Sequence, residues 1–75
     1  MSVVREWQSL LAQAERCGAV VVLHPLPPGA HGRCVQRNDE SVILLNQCIP
    51  LAERNTALRR MLASVRHEQP YRQAG

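Results

Sequence analysis

Apolar positions follow two kinds of pattern along this chain, and together they divide it into five expected elements. Near the N-terminus Val4, Trp7, Leu11 and Ala14 recur at steps of three and four, which stacks them on one helical face. Arg5, Glu6, Gln8, Gln13 and Glu15 fall mostly off that stripe. Ser2 is placed to cap this helix by accepting a backbone N–H, and Gly18 to end it in the left-handed conformation that a C′ position favours. Ala19 to Leu23 is then a β-branched run, too short for a stable helix and typical of a buried strand. It stops at His24-Pro25.

Leu26-Pro27-Pro28-Gly29-Ala30-His31-Gly32 reads as a rigid loop, with Pro28-Gly29 suited to the centre of a type II turn. Arg33 to Arg37 is a polar strand of edge character, and Asn38-Asp39-Glu40-Ser41 is the turn of a hairpin. Val42 to Leu45 is a second apolar strand, closing at Asn46. Pro50 suits the first turn of a helix, in which Leu51, Leu58, Leu62 and Val65 recur at helical steps and Met61 widens the stripe. Glu53 lies near the positive end of that helix and Arg59, Arg60 and Arg66 towards its negative end, as the macrodipole favours. Pro70 is expected to stop it. The fold class that follows is α+β: helix, three-stranded antiparallel sheet, helix, in one domain over 1–69 with a frayed tail over 70–75.

Both apolar strands are hydrophobic at consecutive positions, the pattern of strands covered on both faces. Two helices cover one face of such a sheet well, or both faces poorly. A second copy of the chain, or another protein, is therefore expected against the remaining face. Size points the same way. A chain of 75 residues buries only about 60% of its unfolded surface, so its stability margin is thin.

Composition adds limits. A hydrophobic fraction of 45% excludes a disordered chain. No apolar run approaches the ~20 residues that span a bilayer, so no membrane association is expected. The start, MSVVREWQ, carries an acid and lacks the apolar core of a signal peptide. Cys17, Cys34 and Cys48 then read as reduced thiols in a cytoplasmic protein, buried as small hydrophobes. All nine basic residues are Arg, and six acids leave a net charge of +3. Arg59 and Arg66 share a helical face with Arg60 beside them, a candidate interaction stripe. Aromatic residues that would stack bases are limited to Trp7 and Tyr71, so a face meeting acidic groups on a protein partner is favoured over nucleic acid. Trp7 is read as a core anchor and Met61 as a gap-filler.

At Leu26-Pro27-Pro28-Gly29-Ala30-His31-Gly32, Val42-Ile43-Leu44-Leu45-Asn46 and Pro50-Leu51-Ala52-Glu53-Arg54, the chain resembles the ImmA/IrrE family of zinc metallopeptidases. The likeness covers roughly residues 3 to 68 in element order. It implies a helix, a strand ending near a Leu-Pro and Gly loop, a hairpin ending in Leu-Asn, and the helix that bears His-Glu-x-x-His in that family. Family members commonly act beside helix-turn-helix repressors, which implies a regulatory setting. The chemistry needs two His one turn apart on a Zn²⁺, with the Glu activating its water. Laid without a gap, that motif falls here on Arg60-Met61-Leu62-Ala63-Ser64, none of which supplies an imidazole or an acid. Leu58 and Leu62 keep the packing of the helix. The resemblance thus implies a shell without its zinc site: not an enzyme, with no cofactor, no metal ligand and no catalytic residue expected.

Other constellations give alternatives. His67-Glu68 is a true pair, but the next ligand position is Tyr71, with Pro70 interrupting the turn; an active zinc peptidase would have to work through it. His31-Gly32-Arg33-Cys34 with His24 and Cys17 or Cys48 offers zinc-binding residue types without the paired clips that pre-arrange ligands. A catalytic thiol at Cys34 or Cys48 would need a neighbouring His that sequence does not place, although Cys48 precedes a helix N-terminus. The favoured reading is a self-associating, non-catalytic interaction module; an active zinc peptidase and an Arg-rich nucleic-acid-binding module are the alternatives.

Overall fold

The computed structural model describes the backbone of residues 2–74 and the side chains of residues 2–65. Its elements run α1 (Val3–Arg16), β1 (Ala19–His24), β2 (Gly32–Arg37), β3 (Glu40–Asn46) and α2 (Leu51–Ala74). Ser2 Oγ accepts the Arg5 N–H at 3.1 Å and so starts α1. Gly18, at φ +76°, turns the chain out of it. Gly29 takes φ +89°, and Ala30 N–H donates to Pro27 O at 3.1 Å, closing the type II turn. Asn38 and Asp39 both have positive φ, 51° and 67°, which is the two-residue hairpin turn whose twist matches its strands. Arg37 pairs with Glu40 directly across it.

The sheet is mixed, which corrects the expectation of a purely antiparallel one. Its order is β1-β3-β2, with β1 parallel to β3 and β2 antiparallel to β3. The loop over 25–31 carries the chain past the end of β3 to the far side, about 10 Å or two strand spacings away. The hairpin then returns β3 into the gap. This order puts the apolar run Val42–Leu45 at the centre and leaves the polar β2, with Arg33 and Arg37, at an edge. A meander would instead put the polar β2 at the centre and the apolar β3 at an edge.

Both helices pack on one face. Ser41, Ile43 and Leu45 alternate inward from β3 and are buried, meeting Leu10 and Ala14 of α1 and Ala57, Leu58, Leu62 and Val65 of α2. Ile43, Leu45 and Leu58 are wholly buried; each such side chain stabilises the fold by about 1.5–3 kcal/mol. The α1 stripe is rotated from the expected one: Leu10 is buried, whereas Val4 is 52% exposed. Val3 in the same first turn is 44% exposed, its carbonyl accepting from Asn55 Nδ2 of α2. Trp7 and Leu11 border the core, as does Met61.

Two further expectations change. Cys34 and Cys48 are exposed, so these two thiols are not core hydrophobes, whereas Cys17 is half-buried and packs against the core. Cys34 lies on the edge strand β2, and Cys48 in the turn before α2. The bounds of α2 pass Pro70, which was expected to end it; proline removes one intrahelical bond and bends a helix without having to stop it. The side chains of the expected tail over 70–75 lie outside the described residues. No helix among the described residues is long and apolar enough to cross a membrane.

On the opposite face of the sheet, no element among the described residues lies over the strands. By register Val20 and Val22 of β1, Val42 and Leu44 of β3 and Val35 of β2 share that side. Val20, Val22 and Val35 are 41%, 38% and 39% exposed. Arg33 and Arg37 of β2 and Glu40 of β3 border this apolar centre. Strand β1 is also an edge, with no charged residue from Ala19 to Leu23.

Candidate functional site

A cavity of about 520 Å³ opens between α2 and β2, within the size range of small-molecule sites. On α2 it is lined by Glu53, Thr56, Ala57, Arg60, Met61 and Ser64, and on the other side by His31 and Cys34. The α2 residues recur at three- and four-residue steps, so they form a second stripe beside the core-facing one. The helix leans over β3 and only the start of β2. A Cβ at Gly32 would press on the Leu44 carbonyl oxygen and the Met61 methyl, so this glycine lets α2 approach the strand there. Further along β2 the gap widens, and Cys34 faces it.

Asn46 holds the loop that supplies His31. Its side chain is buried, with Oδ1 accepting from Leu26 N–H at 3.2 Å and Cys48 N–H at 2.9 Å. Its Nδ2 donates to Ala30 O at 2.8 Å, and its backbone N–H to His31 O at 2.9 Å. One residue thus joins the end of β3 to both ends of the Pro-Pro-Gly loop and to the turn before α2.

The other flank of α2 is tied to α1. Arg59 forms an ion pair with Glu6, whose carboxylate also accepts from Asn55 Nδ2 at 3.3 Å. Asn55 is fully buried and donates as well to Val3 O at 2.9 Å. The Arg54 guanidinium lies 5.2 Å from the Trp7 ring centroid and donates to Gln47 O at 3.1 Å. The Arg59 side chain is 56% exposed, so this ion pair contributes at most about 1 kcal/mol. It matters more for where the charge points.

The expected Arg59, Arg60 and Arg66 stripe is therefore divided. Arg59 is engaged by α1, Arg60 faces the cavity, and the Arg66 side chain lies outside the described residues, as do His67, Glu68 and Tyr71. His31 and Cys34 do come together at the cavity; His24 does not, its Nδ1 lying 2.9 Å from Pro25 O. Of the positions on which the zinc motif would fall, Arg60, Met61 and Ser64 line the cavity, whereas Leu62 is in the core. A cationic guanidinium, a thioether and a hydroxyl do not fit a zinc ion. No group of three His, Cys, Asp or Glu side chains among the described residues is arranged to hold one.

Sequence reading missed Glu53, Thr56 and Ser64 as cavity residues. The signal was present: with Arg60 they are polar at steps of three and four down a helix whose core stripe is elsewhere. Neither protein-family models, nor curated proteins, nor solved structures give a match to this chain.

Proposed function

We propose that this chain is a non-catalytic interaction module, built on a shell resembling a metallopeptidase without its ligands, that pairs with a second copy through the outer face of its sheet. The observation that carries this reading is the apolar row Val20, Val22, Val35, Val42 and Leu44, with no element among the described residues over it. Contiguous exposed apolar surface of this kind marks an interaction site in a soluble protein. The occupant follows from the border. Basic Arg33 lies towards one end of this face and acidic Glu40, beside Arg37, towards the other, so a second copy turned end for end brings the Arg33 of each to the Glu40 end of the other. A partner of uniform charge would leave one sign unmatched. Arg59 is paired with Glu6 of α1 while Arg60 lines the cavity, so the two do not act as one basic patch, which favours a protein partner over nucleic acid. A cytoplasmic, regulatory setting belongs to the same proposal.

Sedimentation of the full chain over a wide concentration range tests it. A dimer is expected, and Val22→Ser with Val35→Ser should give a folded monomer, its circular dichroism unchanged. Monomeric wild-type protein at the highest concentrations would reject the pairing. Metal analysis of protein purified without chelator should find no stoichiometric zinc; one zinc per chain would instead favour the peptidase reading.

A further inference from the structure

The cavity between α2 and β2 lies on the helix side of the sheet, away from the proposed pairing face, and its charges are arranged unlike those elsewhere in the molecule. Glu53 and Arg60 both line it, and among the described residues neither forms an ion pair. They stand seven residues apart on one helical stripe, about 10 Å along the axis. Between them lie Ala57 and Thr56, whose hydroxyl is turned to the Ala52 carbonyl oxygen, and Met61 follows Arg60, so no ionised group separates the two charges on this wall. Thr56, Ser64 and His31 add hydrogen-bonding groups along the same cavity. Thr56 is already committed, its hydroxyl donating to Ala52 O at 3.2 Å. Among the described residues the Ser64 and His31 side chains show no such bond.

An acid and a guanidinium held apart across an uncharged wall match a ligand with the reverse arrangement. We propose that this cavity binds a small linear zwitterion, with an ammonium group at Glu53, a carboxylate at Arg60 and an aliphatic middle over Ala57 and Met61. Arg60 offers a planar fork that carboxylates accept in bidentate fashion, and Ser64, one turn further, supplies a hydroxyl donor to the same group. A dianion would meet Glu53, and a diamine would meet Arg60. The pair therefore selects for both charges in one molecule.

The probe is 8-aminooctanoate, whose extended length is comparable to the charge separation, titrated into the full ¹⁵N-labelled chain and followed by NMR. Saturable shifts are expected at amides around Glu53, Arg60 and His31. Octanoate and octylamine each satisfy one charge only, and should bind about tenfold more weakly, the usual effect of losing a charge-assisted hydrogen bond. Both charged side chains are exposed at the rim, so Glu53→Gln and Arg60→Gln should keep the dispersion of the folded spectrum. Glu53→Gln should abolish the preference for 8-aminooctanoate over octanoate, and Arg60→Gln the preference over octylamine. Absence of saturable shifts, shifts mapping to another surface, or equal binding of octanoate and the zwitterion to the wild-type chain would each overturn the proposal. Self-association is read separately by sedimentation, so the two proposals fail independently.

Discussion

At the scale of single residues, Asn46 does more than its small polar side chain suggests. It closes the loop over 25–31 through three side-chain hydrogen bonds while being 2% exposed. Removing it leaves the Leu26 and Cys48 N–H groups and the Ala30 carbonyl without that partner. Asn46→Ala is expected to lower unfolding free energy by about 2–4 kcal/mol in urea titration, since orphaned polar groups cost about 1–3 kcal/mol each and water recovers part. A loss under 0.5 kcal/mol, the usual size for a surface substitution, would show that the loop holds itself. Such a role is hard to read from sequence, because the partners lie up to 20 residues away. Ser2, Gly18 and the Pro28-Gly29 turn were legible because their partners are within a few residues.

At the scale of elements, the five segments and their types were legible from periodicity, whereas the strand arrangement was not. Nothing local distinguishes a loop that turns back to the neighbouring strand from one that passes over β3 to the far edge. The polar character of β2 was the available clue, since it argued for an edge position. Read together with two apolar strands, it leaves β3 central. The packing of α2 on this sheet depends on Gly32, where strand and helix come closest. Gly32→Ala is expected to press first on the Leu44 carbonyl oxygen of β3 and then on the Met61 methyl of α2, and to destabilise the fold by about 1–3 kcal/mol, the range for overpacked sites. Chemical denaturation measures it. An unchanged midpoint would mean that the strand pair relaxes around the Leu44 carbonyl and the Met61 methyl moves aside. The cavity stripe on α2 was equally present in the spacing, yet hidden behind a stronger core stripe on the same helix, where Leu58, Leu62 and Val65 dominate the pattern.

At the scale of the whole molecule, one helical layer on one sheet gives a small core, and a fold of this size has little stability to spare. A second copy on the outer face would bury the valines and add to it by mass action. The melting temperature should therefore rise with protein concentration in scanning calorimetry; a constant value across a hundredfold range, the span over which such linkage shifts stability by about 2.7 kcal/mol, would count against coupled folding and pairing. Strand β1 carries a different consequence. Its outer rim offers unpaired backbone groups along a run of valines with no lysine or proline to repel an incoming chain. Covering the flat side of the sheet does nothing to shield that rim. Whenever the fold loosens, the same segment becomes a template for lateral accretion into fibrils.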